Sequence, residues 1–144
     1  MLCINNYGQK YIDECRARID EQLSAYQKLA GVVRKPARPS DAPIKALESF
    51  EPVFFNNLVI VLDGYFVHRS RTIEKKDGNP LNEVRVLCTS MMESNGVMTK
   101  DNTIKLDPGQ SVLGHQPGDN IRLREQDFVR LAEAFFTELE RKFL

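Results

Sequence analysis

Apolar side chains recur every third or fourth residue near both ends of the chain, a spacing that places them on one face of an α-helix. The predicted N-terminal helix covers residues 10–30, and its apolar face comprises Ile12, Cys15, Ile19, Leu23, Tyr26 and Leu29. The predicted C-terminal helix has an apolar face of Phe128, Leu131, Ala132, Phe135, Phe136, Leu139 and Phe143. Acidic residues precede this second face and basic residues follow it, as the helix dipole favours.

The segment between these helices begins with a predicted linker over residues 31–42. It follows Gly31, and its basic stretch contains two prolines, which cannot continue a helix. A short helix over residues 43–51 is predicted next, because a polar residue can cap it and its apolar positions are spaced three apart. Pro52 is expected to end or redirect this helix.

Residues 54–71 fit two interpretations. Locally, the apolar run 58–62 followed by Asp63 and Gly64 is typical of a β-hairpin. Over a longer window one helical face comprises Phe55, Leu58, Leu62, Tyr65 and Phe66. We favour the helix, which would be central and buried because its other face is also largely apolar.

Polar turn residues divide the rest of the chain. Asn79 can cap a helix that begins at Pro80, and Gly96 can close it through a left-handed residue. Residues 97–122 contain several Asp, Pro and Gly turns between short apolar runs, which predict a small β-hairpin or paired strands. The predicted fold is mainly α: one domain over residues 1–144, with four to five helices in an irregular bundle and a small β-hairpin before the C-terminal helix.

The charge balance gives no sign of a nucleic-acid or membrane partner. The chain has 20 basic and 20 acidic side chains, so its formal net charge is zero. Polar residues interrupt its longest apolar stretch, which is too short to cross a bilayer, and its first residues lack a secretory signal pattern. Three widely spaced cysteines suggest no disulfide framework. We therefore expect a cytoplasmic protein without nucleic-acid or membrane partners.

The candidate site consists of polar residues on the otherwise apolar central helix and on the helix that follows. Buried polar groups need partners, water or a ligand. One hypothesis is a polar network that only fixes helix register. The other is a pocket in which His68, a side chain that ordinarily titrates near neutrality, and arginines bind a small anionic ligand. The candidate ligand-binding residues are Asn57, Asp63, His68, Arg71, Glu83 and Arg85.

The sequence contains no pattern typical of a catalytic or cofactor site. It has no glycine-rich phosphate loop, nucleophile elbow or zinc signature, and its two histidines lack metal-ligand spacing. We therefore assign no catalytic residue, cofactor or metal, and leave open whether the chain is an enzyme.

Two stretches resemble a family of small bacterial proteins with no established activity. They are Phe66 to Arg71 and Lys76 to Arg85, and the pairs Lys105-Leu106 and Gly118-Asp119 and the apolar pattern of Phe128–Phe136 accompany them. The resemblance covers roughly residues 54–143. It implies a bacterial cytosolic setting and supplies no mechanism.

These observations favour a non-catalytic protein that associates with itself, as a homodimer, or with another protein. Amphipathic terminal helices are present and a catalytic signature is not. An exposed apolar stripe on the N-terminal helix would support this prediction. The alternative is an anionic-ligand domain or enzyme with a site around His68.

Overall fold

The chain folds into five helices in a computed structural model that describes residues 2–36 and 38–144. The helices are α1 (Gln9–Arg34), α2 (Ala42–Gly64), α3 (Arg71–Glu74), α4 (Pro80–Glu93) and α5 (Glu125–Phe143). The predicted mainly α fold is confirmed. Met1 and Ala37, which belong to the predicted domain and linker, lie outside the described residues.

Helix α2 is the centre of the bundle, as its apolar composition predicts. It packs against α1, α4 and α5, and α4 also packs against α5. Phe55, Leu58, Val59 and Leu62 of α2 are buried where these helices meet. The core is therefore built around one helix that is apolar on most of its surface.

Helix α1 is longer than predicted. It includes residues 31–34, which the sequence assigned to the linker. Val33 packs against the core, and the Arg34 guanidinium lies 3.4 Å from a carboxylate oxygen of Glu51. These tertiary contacts explain why the helix continues past Gly31.

Pro52 lies inside α2, so the prediction that it ends or redirects a helix is wrong. A proline cannot donate a hydrogen bond to the carbonyl four residues earlier, here Glu48. The Arg124 guanidinium donates to that oxygen instead, at 2.8 Å. A distant side chain therefore replaces the missing amide, and the helix runs unbroken from Ala42 to Gly64.

The central segment is helical and not a hairpin, but the helix ends earlier than predicted. After Gly64 the chain reverses direction in a turn over residues 65–68, and the Arg69 side chain returns to contact Asp63 of α2. Residues 68–70 then pair with Ile4, whose amide donates to the His68 carbonyl at 2.8 Å and whose carbonyl accepts from the Ser70 amide at 2.7 Å. A continuous helix over residues 54–71 is therefore wrong beyond Gly64.

Helix α4 begins and ends as predicted. The Asn79 side chain accepts hydrogen bonds from the amides of Leu81 and Asn82, and Pro80 occupies the first helical position. At the other end Asn95 and Gly96 adopt positive φ angles of 53° and 79°. Both helix signals were local, which is why they were readable from the sequence.

The β-hairpin predicted before α5 does not form. The structure describes all of residues 94–124, and their one β-type pairing is an isolated antiparallel bridge between Val97 and Asn120. Side chains from the helices satisfy backbone groups that a ladder would otherwise pair. The Asn56 amide group, for example, donates to the Ile121 carbonyl and accepts from the Leu123 amide, at 2.8 and 3.0 Å.

Candidate functional site

The six predicted site residues do not converge on one pocket. The common line expected for Asn57, His68 and Arg71 requires a helix through residue 71, and α2 ends at Gly64. All three of these side chains are exposed. Asp63 and Glu83 are buried and Arg85 is half-buried. The predicted alignment is therefore wrong.

Two of the predicted site residues, Asp63 and Arg85, belong instead to a buried ionic cluster, which they form with Arg69 and Glu74. The turn after α2 brings Arg69 back against Asp63, and the one-turn helix α3 places Glu74 beside both arginines. The Arg69 and Glu74 side chains are fully buried. The cluster contains two acids and two bases, so it is formally neutral.

Arg69 donates four hydrogen bonds within this cluster and its surroundings. Its Nε lies 2.6 Å from Glu74 Oε1, and its Nη1 lies 2.8 Å from Asp63 Oδ1. The backbone carbonyls of Phe66 and Leu81 accept from the same guanidinium, both at 3.1 Å. One side chain thereby connects α2, the turn, α3 and the start of α4.

Glu74 accepts hydrogen bonds at both carboxylate oxygens. Arg69 Nε and Arg85 Nη2 approach Oε1 at 2.6 Å, while Asn82 Nδ2 and Arg85 Nε approach Oε2 at 2.8 and 3.1 Å. A carboxylate offers about four lone-pair sites, and these contacts use them. Burial raises the pKa of Glu74, but the bonds and charges of Arg85, Arg69 and Asn82 outweigh it and lower that pKa below its ordinary value.

The ionic cluster is a closed network with no free acceptor on Glu74 for a ligand. Ions that are buried and fully hydrogen-bonded to one another fix the relative positions of the elements that carry them. This arrangement corresponds to the first of the two hypotheses drawn from the sequence, a polar network that sets register. Arg85 and Asn82 of α4 bind Glu74 of α3 and not residues of α2.

Glu83 has a separate structural contact. Its two carboxylate oxygens accept hydrogen bonds from the backbone amides of Val112 and Leu113, at 2.7 and 2.9 Å. Arg130 of α5 donates to the Val112 carbonyl at 2.7 Å. The carboxylate thus attaches the long loop before α5 to α4, away from His68 and Arg71.

The described residues offer little for nucleophilic or metal chemistry. Burial raises the pKa of the Cys15 and Cys88 thiols, so the reactive thiolate is disfavoured at both. No group of three or more His, Cys, Asp or Glu side chains within residues 2–36 and 38–144 is arranged to bind a metal ion. The buried nucleophile candidates are therefore packing residues.

A different region of the molecule departs from what a folded protein usually shows. Leu29 and Val32 of α1 and Phe50 and Val53 of α2 expose 52%, 73%, 44% and 68% of their surface. Leu29 and Val32 are three residues apart on one helix, as are Phe50 and Val53 on the other, so each pair lies on one side of its helix. We call these four residues the apolar surface.

Shallow depressions lie on either side of Phe50 on the apolar surface. One is lined by Leu29, Val33, Pro43, Ala46 and Leu47. The other is a groove of about 730 Å³, which extends past Val53 to Ile60 and Met91 and whose polar margin includes Asn57, Asn95, Asn120 and Arg122. Of the predicted site residues, Asn57 is the one that lines this groove.

The apolar surface has a rigid base. Glu51, buried beneath it, accepts hydrogen bonds from the Tyr26 hydroxyl at 2.8 Å and from the Glu125 amide at 2.8 Å. Burial, and then the bond to Glu51, raises the pKa of Tyr26 to about 12, so its hydroxyl remains a donor. Phe50 stacks on Phe54, which stacks on Tyr26. The exposed ring is therefore anchored to the core.

Sequence reasoning missed the residues that matter most in both regions. Arg69 and Glu74 were not among the candidate residues, because nothing local in the sequence marks a buried ion pair between residues five positions apart. The sequence analysis placed Val32 in the linker and Val53 outside the predicted helices, and it placed Leu29, which is 52% exposed, on the core-facing side of the N-terminal helix. No local signal therefore identified the apolar surface.

The chain matches no known protein family, no curated protein and no solved structure at a significant level. The resemblance to small bacterial proteins therefore stays an expectation. Among the described residues, none of the helices combines the length and the apolar character needed to cross a bilayer.

Proposed function

We propose that this protein is a non-catalytic binding protein that contacts a protein partner through the apolar surface. The observation that carries the proposal is the exposure of four large apolar side chains, Leu29, Val32, Phe50 and Val53, on two adjacent helices. Single exposed apolar residues are normal, but grouped ones with a polar margin are typical of interaction sites. Helix α1 supplies two of them, Leu29 from the apolar stripe defined in the sequence and Val32 from beyond it, while Ile12, Cys15, Ile19 and Tyr26 of that stripe are buried.

The rigidity of this region supports the proposal. Glu51 joins α1, α2 and the N-terminus of α5 through Tyr26 and the Glu125 amide. Binding to a surface that is already ordered costs less conformational entropy than binding to a mobile one. Phe50 has the features of an anchor residue, since it is an aromatic ring, partly exposed, with a depression on either side.

The distribution of polar contacts is the second support. Asp63, Glu83 and Arg85 are all engaged in bonds that connect structural elements. His68 is exposed in a turn where its backbone, and not its ring, makes the recorded contact. No contact around His68 favours the anionic-ligand alternative.

Site-specific photo-cross-linking tests this proposal. A photoreactive amino acid replaces Val53 in the full chain, which is expressed in the cells that naturally produce it. The matched control replaces Val67, which is 46% exposed but lies in the turn after α2. We expect a discrete protein adduct from position 53, absent from position 67 and lost when Phe50→Asp is added. Adducts of equal yield at both positions, or none at position 53, would overturn the proposal.

A further inference from the structure

We infer that the occupant of the apolar surface is an acidic amphipathic helix of a partner protein, and not a second copy of this chain. This inference rests on the proposed function and names the partner's chemistry. Its grounds are the shape of the surface and the charges that flank it.

The surface has the shape that a third helix would fill. Tyr26 of α1 contacts Glu51 of α2, while Leu29 and Val33 line a depression with Pro43 and Ala46, so the two helices run antiparallel. Two antiparallel helices leave a groove between their outer faces, and an amphipathic helix binds such a groove through one apolar face.

The length of the surface sets the length of the partner helix. On α2 the lining residues extend from Pro43 to Ile60. These residues are 17 positions apart, which corresponds to about 26 Å of helix at 1.5 Å per residue. A partner helix of about five turns would cover that distance. Its apolar side chains would recur at steps of three and four to meet the depressions on either side of Phe50.

The charges around the surface are mostly positive, although the whole chain is neutral. Exposed basic residues flank it on the end of α1, in the α1–α2 connection, on the first turn of α2 and at the groove margin: Lys28, Lys35, Arg38, Lys45 and Arg122. Within the part of the chain that the structure describes, none of these five forms an ion pair. Exposed acids adjoin the surface too, Glu48 on α2 and Glu93 and Asp119 beside lining residues of the groove, so the basic residues outnumber the acidic ones by five to three. Acidic residues beside the partner's apolar face would complement this margin.

The same charges disfavour a symmetric homodimer, which the sequence had led us to expect. In a two-fold interface the same patch meets itself. A second copy placed on this surface would bring its own Lys45 and Arg122 toward those of the first. Like charges brought together across an interface oppose association, whereas an acidic partner would be attracted by these basic residues.

Selection from a random peptide library tests the inference without assuming a partner. The displayed library consists of 20-residue peptides, which are about 30 Å long when helical. Peptides that bind the wild-type protein are kept, and those that also bind the Val53→Asp variant are removed. We expect the retained peptides to carry apolar residues at helical spacing and a net negative charge. A fluorescent copy of the most enriched peptide then serves as the binding probe.

Charge-reversal variants make the test quantitative. The double variant Lys45→Glu with Arg122→Glu should weaken binding of the probe by at least about tenfold, with a smaller effect of added salt than in the wild type. Val67→Asp, the matched surface control, should bind the probe as the wild type does. Circular dichroism of each variant confirms that the helices are retained.

The outcomes separate this inference from the proposed function. Retained peptides that are neutral or basic, or a probe unaffected by charge reversal, would overturn the acidic partner. A dimer in sedimentation velocity that Val53→Asp dissociates would also overturn it, yet would leave association through the apolar surface standing. If no peptide is retained and position 53 gives no adduct, both fail.

Discussion

The ionic cluster and the apolar surface reverse the usual placement of side chains. In the first, Arg69 and Glu74 are charged and fully buried; in the second, Phe50 and Val53 are apolar and exposed. The buried charges are bonded to one another and to backbone carbonyls, whereas the exposed apolar groups meet no other element on their outer side. The buried charged residues therefore stabilise the fold, and the exposed apolar residues are the groups available for binding.

The largest effect is expected from breaking the ionic cluster. Arg69→Met removes one partner and leaves Asp63 and Glu74 buried with fewer bonds, so we expect the free energy of unfolding to fall by about 3–5 kcal/mol. Urea denaturation measures it. Arg71→Met, an exposed arginine two residues later, is the matched control and should change stability by less than about 0.5 kcal/mol. Equal effects of the two variants would mean that the cluster does not stabilise the fold.

A smaller effect is expected at the turn that leads into α4. Gly78 has a φ of +90°, and a Cβ there would overlap the carbonyl oxygen of Lys105. Gly78→Ala should therefore destabilise the protein by about 2 kcal/mol, because it adds both strain and a clash. Gly96→Ala is a useful comparison, since its φ is also positive but its Cβ would meet open space. If both variants lose the same stability, the contact with Lys105 is unimportant.

The ionic cluster should also determine how stability depends on acid. The pKa of Glu74 is lower in the folded protein than its ordinary value of 4.5, so its contribution is present above that value and lost as the pH falls below it. One proton corresponds to a slope of about 1.4 kcal/mol per pH unit. In Glu74→Gln part of this slope should disappear from the dependence of the free energy of unfolding on pH below 4.5.

Comparing the wild type with Glu74→Gln isolates this contribution. The pKa values of Asp77 and Asp101 are lowered too, chiefly by hydrogen bonds from Asn79 and Thr103 respectively, so the wild-type slope includes other carboxyls. The wild type and Glu74→Gln both retain those aspartates, so the difference between their two slopes is the contribution of Glu74. Identical slopes would contradict the assigned pKa direction.

The helices were predictable from the sequence because their signals are local. Apolar spacing identified α1 and α5, and Asn79 with Pro80 identified the start of α4. The end of α2 was not predictable, since it depends on Arg69 reaching back to Asp63 and on residue 4 pairing with residues 68–70. The hairpin before α5 was predicted wrongly because Glu83 and Asn56 bind backbone groups that the sequence left for strand pairing.

The candidate site was predictable only in part, for the same reason. Burial of Asp63 and Glu83 followed from their positions on apolar helices. Their partners came from distant segments, and Arg69, the centre of the cluster, was not among the candidate residues. The apolar surface depended on which faces of α1 and α2 remain uncovered, and the packing of the whole bundle decides that.

The smallest effect on stability, and the largest on binding, is expected at the apolar surface. Val53→Asp should change the free energy of unfolding by less than about 0.5 kcal/mol, because the side chain is already mostly in water. Denaturation with urea checks this value against the wild type. A substantial loss of stability would show that Val53 stabilises the fold, and would contradict the contrast between the buried ionic cluster and the exposed apolar surface.

The most direct measurement of the central claim is photo-cross-linking from position 29 of α1, with and without Val53→Asp on α2. Leu29 shares a depression with Phe50, so both helices should contact one partner. We predict a protein adduct from position 29 in the otherwise wild-type chain and its loss in the Val53→Asp background. An adduct of unchanged yield in that background would contradict a single binding surface formed by the two helices.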